Sequence, residues 1–216
     1  MAKIQTKTKG WKFVGGFLCL DFANTVGGRL SSGAVLRDKL VEYSDLLEWA
    51  QRAGVVNRTE FRSLDRLAES HKKEAHDTFL RALILRETLY RTFKSEVDGR
   101  RPPRGALEVL SHEIRLARAR ERLVHASGTF NWTFQDSEAA LDRVLWPVAL
   151  SAAELLTSGD LSRLRQCDGE RCGWLFLDTS RNRSRHWCDM KDCGNRAKVR
   201  RFRTRLQRSH RRIRSA

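Results

Sequence analysis

Through most of the first 160 residues, apolar side chains recur every three or four positions, the period of a helix with one buried face. Leu36, Leu40, Tyr43, Leu46, Leu47 and Ala50 predict a helix over Arg37 to Ala53, with Gly54 as its C-cap. Phe61, Leu64, Leu67 and Ala68 predict a second helix over Thr59 to Ala68, with Thr59 or Asn57 capping its start. The run from His76 to Val97 puts Phe79, Ala82, Leu83, Leu85, Leu89, Tyr90 and Phe93 on a broad face suited to a central helix, and Asp98-Gly99 stops it. Gly105 to Arg118 predicts another helix. Ser137 to Leu156 predicts the last long one, kinked or divided by Pro147. Thr129 to Phe134 alternates Phe130, Trp132 and Phe134 with Thr and Asn, the period of a short strand. The expected fold is mainly α with minor β, without internal repeats.

Charge divides the chain more sharply than hydropathy does. The formal net charge is +16, of which +12 falls in residues 161–216. A nearly balanced body over 1–160 and a strongly cationic module over 161–216 are therefore expected, and the module is the surface that attracts polyanions. The apolar run Phe13 to Leu20 is far too short to span a membrane and ends at Asp21. Lys3, Lys7, Lys9 and Lys12 precede it, but no small-residue cleavage site follows, so the expected location is cytoplasmic, with no membrane partner.

One body segment mixes polar and apolar residues unusually. In Leu18-Cys19-Leu20-Asp21-Phe22-Ala23-Asn24-Thr25, the polar Asp21, Asn24 and Thr25 fall on one face of a helix. Buried, they must either tie down neighbouring backbone, Asp21 as a cap and Asn24 as a bridge to a loop, or line a polar pocket with Arg29 as anion partner. The structural role is preferred and the pocket stays open. Cys19 between leucines reads as an inert buried thiol. His71, His76, His112 and His125 belong to no catalytic spacing.

The most specific pattern is Cys167-x4-Cys172 followed by Cys188-x4-Cys193. Two thiolate pairs on tight turns can supply the four corners of a tetrahedral zinc site. Zinc is preferred over two disulfides in a chain lacking a secretion signal, and over an iron–sulfur cluster. Four thiolates leave no open coordination position, so the metal is expected to be structural, with His186 outside its ligand set. Cys172 to Asp178 predicts a strand and His186-Trp187 its returning partner: a zinc-held hairpin, followed by a helix, in a treble-clef-like module. With little core of its own, such a module takes much of its folding free energy from the metal.

No acidic residue follows Cys193. A helix from Gly194-Asn195 would carry an apolar stripe of Val199, Phe202, Leu206 and Ile213, expected to dock on the hairpin. Arg196, Lys198, Arg200, Arg201, Arg203, Arg205 and Arg208 would then face anions, joined by Arg181, Arg183 and Arg185 from the preceding loop. Arginine suits phosphate and guanine edges through its planar fork.

Residues Arg185-His186-Trp187-Cys188-Asp189-Met190 and Cys193-Gly194-Asn195-Arg196-Ala197-Lys198 resemble the CGNR zinc finger. Phe17 to Thr25, Tyr43 to Gly54 and Trp146-Pro147 to Leu156 resemble the ABATE domain that precedes this finger in bacteria. The resemblance implies a stress-response transcription regulator with Cys167, Cys172, Cys188 and Cys193 holding one Zn2+, a DNA-binding finger, and an N-terminal domain that takes a small-molecule effector. On that basis Asp21, Asn24, Thr25 and Arg29 become candidates for the sensing pocket. Double-stranded DNA is the expected partner, a homodimer is left open, and no enzymatic activity is expected. Two rivals remain: RNA binding with Trp174, Phe176 and Trp187 as stacking platforms, and an enzyme in the helical domain with the basic module as tether.

Overall fold

A computed structural model describes residues 10–29, 35–134, 140–157 and 160–214, with the side chains of 35–36, 160, 206 and 208–214 excepted. Its helices are α1 (Leu18–Ala23), α2 (Tyr43–Arg52), α3 (Arg58–Ser70), α4 (Lys72–Val97), α5 (Ala106–Arg118), α6 (Trp146–Thr157) and α7 (Asn195–Arg214). Strands β1 (Val26–Arg29) and β2 (Val35–Asp38), β3 (Glu121–Ala126) and β4 (Thr129–Phe134), and β5 (Leu164–Gln166) and β6 (Leu175–Leu177) form three antiparallel pairs. The fold is mainly α with minor β.

Helix α4 is the axis of the body. At 26 residues it is about 39 Å long. Helices α1, α2, α3 and α5 and the β5–β6 hairpin all pack on it. Its buried face, Phe79, Ala82, Leu85, Leu89 and Phe93, meets Leu20 and Phe22 of α1, Leu46 and Leu47 of α2, and Leu155 of α6 in one core. Local chemistry sets the element ends. Asn57 Oδ1 accepts the amides of Thr59 and Glu60, and Glu60 reaches back to the Asn57 amide, so α3 starts with a reciprocal cap. Gly54, at φ +75, ends α2 in the left-handed conformation that glycine adopts most cheaply.

Several sequence expectations need correction. The helix predicted from Arg37 begins only at Tyr43. Residues 35–38 instead pair with Val26–Arg29, and Asp45 Oδ2 accepts the amides of Val41 and Glu42 at the true helix start. Strand β3, the partner of β4, had no sequence signal of its own. The run placed at Ser137 to Leu156 is divided into a 3-10 turn, Leu141–Leu145, and α6; Ser137 lies outside the described residues. Pro147 sits near the start of α6, where a missing N–H costs no hydrogen bond. Among the described residues, no helix is long and apolar enough to cross a membrane.

The β3–β4 pair carries Leu123, Phe130 and Trp132 exposed on one face, with the Phe134 ring packed at a tilt against Trp146 at its base. Residues 164–177, by contrast, are built into the body. Leu164, Leu175 and Leu177 belong to the main core, the Trp174 indole N–H donates to Val26 O at 2.7 Å, and the Arg29 amide donates to Cys172 O at 3.1 Å. The packing is close enough that a Cβ on Gly173 would lie 2.6 Å from Arg29 O.

Candidate metal centre and nucleic-acid interface

The first cysteine pair sits on the turn of the β5–β6 hairpin. Cys167 follows β5 directly, its amide donating to Trp174 O at 2.8 Å, and Cys172 closes the turn two residues before Trp174. The strand that pairs with β6 is therefore Leu164–Gln166. His186-Trp187, predicted as its partner, lies in an irregular segment, because that stretch is occupied in carrying the chain back to the second cysteine pair. Cys188 precedes the π-helical turn Met190–Gly194 and Cys193 lies within it; at the start of the turn Asp189 Oδ1 accepts the Lys191 amide at 2.8 Å.

The four Sγ atoms lie within 4.8 Å of one another and all four residues are buried. Cys172 and Cys188 sulfurs are 3.6 Å apart, and those of Cys188 and Cys193 3.7 Å. A tetrahedral zinc with Zn–S of about 2.3 Å requires sulfurs about 3.8 Å apart, whereas a disulfide would need about 2.05 Å. The donor set fits one zinc ion. Packed this closely, the sulfurs cannot all ionise unaided: hydrogen bonding to Cys167 and burial push the Cys188 and Cys172 thiols up. A divalent cation taking all four as thiolates would remove that conflict and release protons on binding.

The surroundings enforce the cluster. A Cβ on Gly169 would stand 3.1 Å from Cys172 Cβ and 3.2 Å from Cys193 Sγ, and the Gly169 amide donates to Cys167 Sγ at 3.4 Å. Arg196 Nη2 lies 3.0 Å from Cys193 Sγ, a counter-charge to the thiolates. Buried Asp178 accepts from the Ser180 hydroxyl and amide and from the Arg185 amide, which holds the Ser180–Arg185 loop in place and pulls its carboxyl down to about 2. From the N-terminal side, Lys12 bridges Asp189 and Asp192 at 3.3 and 2.7 Å, and Val14 packs against the cysteine cluster. Neither Asp178 nor Lys12 has a motif that would have pointed to it.

The predicted anion-facing residues separate into two groups. Arg181 and Arg183 on the loop, and Lys198, Arg200, Arg201, Arg203 and Arg205 on α7, are exposed; the Arg208 side chain lies outside the described residues. Arg185 is turned inward: it stacks on Phe176, 4.4 Å from the ring centroid, and donates to Trp187 O and Cys188 O. Arg196 is tied to Cys193 and Asp192. The described part of the apolar stripe of α7 does not dock on the hairpin. Val199 and Phe202 are exposed; the Leu206 and Ile213 side chains lie outside the described residues.

Asp21, Asn24, Thr25 and Arg29 are each engaged by groups of the fold, and Arg86 links two of them, reaching Thr25 Oγ1 at 3.4 Å and Glu87, the partner of Arg29. Asn24 brackets the Leu175 backbone, and Thr25 Oγ1 donates to Phe22 O at 2.8 Å. Arg29 forms a bidentate pair with Glu87 and stacks on Tyr90, 3.8 Å from its centroid. Arg86 joins the same network, bridging Asp38 by two bonds of 2.7 Å. Arg29 and Arg86 thus tie β1 and β2 to α4. Cys19 is fully buried, and burial pushes its thiol up to about 12, so it is inert.

Asp21 Oδ1 accepts the Gly15 amide at 2.8 Å. Burial nevertheless raises its carboxyl to about 6, outweighing the hydrogen bonds from Gly15 and Val14. A folded pKa above the unfolded one gives stability that is complete below about pH 4 and is lost as pH rises through 6, of order 2 kcal/mol by about pH 8. Asp21→Asn keeps an oxygen for Gly15 and should abolish that loss. Urea midpoints of variant and parent should diverge in the variant's favour from about pH 5 to about pH 8, and parallel profiles would contradict the strained carboxylate.

No curated protein matches the chain. Residues 163–206 match the CGNR zinc finger, and residues 16–159 match ABATE, described as a "putative stress-induced transcription regulator". The two matches meet where the chain passes from α6 into the β5–β6 hairpin, so the four converging cysteines are those of a zinc finger and the helical scaffold that carries them is the matched domain: the chain belongs to the ABATE family, with a CGNR zinc finger at its C-terminal side.

Proposed function

We propose that the protein is a cytoplasmic DNA-binding transcription regulator in which a zinc-clamped knuckle presents α7 to duplex DNA and the helical domain receives a small-molecule signal. Both matched families support a regulatory role over an enzymatic one. The observation that carries the reading is α7 itself: ten of its twenty residues are Arg or Lys and none is acidic, and the side chains described on it from Lys198 to Arg205 project from the surface. Such a helix neutralises several phosphates, which dominates affinity and makes it salt-dependent. Stacking on unpaired RNA bases is disfavoured, since Trp174 and Phe176 are buried and only Trp187 is partly open.

The test is a salt titration of duplex binding by fluorescence anisotropy on the zinc-loaded chain. Lys198→Ala with Arg201→Ala should reduce the slope of log affinity against log salt by about 1.8, the loss of two phosphate contacts, without changing zinc content. An unchanged slope would remove this face of α7 from the interface, and a preference for single-stranded RNA over duplex would turn the reading to RNA.

A further inference from the structure

Beside the metal cluster, a cleft of about 290 Å³ is lined by Gly169, Glu170 and Arg171 from the Cys167–Cys172 turn, by Cys193, and by Arg196 and Arg200 from successive turns of α7. Three arginines line it against one glutamate. Arg196 is partly committed to Cys193 and Asp192, and Arg200 is ion-paired with Glu170. The Glu170 and Arg200 side chains are 69% and 54% exposed, so their pairing is screened by water and readily exchanged.

The geometry points to a seat for a single phosphodiester group of bound nucleic acid, which Glu170 fills from within the chain until the nucleic acid displaces it. This rests on the nucleic-acid reading of α7 and adds to it a defined contact and an intramolecular competitor. A carboxylate and a phosphodiester both present two oxygens carrying one negative charge, and both suit the arginine fork. The cleft joins two parts of the finger that meet at the metal cluster: Arg171 rides on the first cysteine turn, while Arg196 and Arg200 ride on the helix that follows the last cysteine. A phosphate here would therefore read the folded finger, which a basic tail alone could not supply. Exchange of one anion for another on Arg200 also releases few counterions, so this contact adds less to the salt slope than an open arginine does.

The test uses the full-length zinc-loaded chain, a DNA duplex of mixed sequence and fluorescence anisotropy. Glu170→Gln should tighten binding about two- to fivefold and steepen the salt slope by up to about 0.9. Asp168→Asn removes the same charge two residues away, from a carboxylate that pairs with His186 rather than Arg200, and should have a smaller effect. In an Arg200→Gln background, Glu170→Gln should do no more than Asp168→Asn does. Equal effects of Glu170→Gln and Asp168→Asn in the parent chain would overturn the proposal while leaving DNA binding intact. A second readout is independent of DNA: inorganic phosphate should shift the amide resonances of Gly169, Arg171 and Ala197, more strongly in Glu170→Gln and not in Arg200→Gln. If no variant binds DNA but these shifts occur, the anion seat stands and the DNA reading falls. Absence of the shifts in Glu170→Gln would overturn the seat.

Discussion

Cys188→Ser is expected to leave the purified chain with no bound zinc and to open the finger from Asp178 into the first turns of α7, while the β5–β6 hairpin stays on the body. Besides the Lys12 ion pairs with Asp189 and Asp192 and the Arg185 bond to Cys188 O, the second cysteine pair depends on the metal. The small core beneath the metal consists of Trp174, Phe176 and the four cysteines, with Val14 and Trp187 at its edge. Of these, Trp174 is anchored to the body through Val26, and Leu164, Leu175 and Leu177 lie in the main core. Cys188 and Cys193 have no comparable apolar anchor. Structural zinc contributes about 10–16 kcal/mol of apparent binding free energy in zinc-finger peptides, and losing even about 4 kcal/mol of local stability speeds amide exchange about a thousandfold. Elemental analysis should give loss of the metal, and hydrogen exchange should show fast amides from Trp187 to Ala197 beside protected amides in α4 and α6. Cooperative loss of protection in α4 would mean that the metal stabilises the whole molecule. Unchanged exchange in the first turns of α7 would mean that the metal does not aim the helix.

How far such features can be read from sequence depends on whether the signal is local. The cysteine spacing is local, and tetrahedral coordination leaves few ways to satisfy it, so the four ligands were legible as a set. Helices α3, α4 and α5 were legible because their apolar positions repeat over three or more turns. Short strands repeat nothing: Leu164–Gln166 is three residues long, and β1 holds Gly27 and Gly28, so neither β1 nor the true partner of β6 has a pattern to find. Periodicity also names a face without naming what covers it. Val199 and Phe202 have the spacing of a docking stripe and stand exposed, since the hairpin they were matched to is already packed on α4. Arg185 illustrates the same limit for charge. Its place in a basic loop suggests an anion contact, but a neighbouring aromatic ring and two carbonyl groups take its guanidinium first.

Asn24→Ala should cost about 3 kcal/mol of stability. Asn24 ends α1 as its C-cap, is 2% exposed, and faces β6 edge-on. Its Nδ2 donates to Leu175 O at 2.8 Å and its Oδ1 accepts the Leu175 amide at 3.0 Å, so one side chain serves the strand backbone as a neighbouring strand would. Alanine leaves both Leu175 groups unpaired in a place water does not reach, at about 1–3 kcal/mol each, and frees little apolar area in return. Asn24→Asp should be at least as damaging, because it keeps the acceptor but sets a carboxylate against the Leu175 carbonyl. Leu175 lies between the main core and the Cys172 turn, so the defect should also weaken the seat of the finger. Chemical denaturation should therefore show a lower midpoint with an unchanged slope, and zinc should be lost to a chelator faster than from the parent. A variant as stable as the parent, with an altered response to a small molecule, would restore Asn24 to a sensing pocket. The bidentate grip on Leu175 argues for the other outcome, in which the residue ties the end of α1 to the strand that leads from the first cysteine turn.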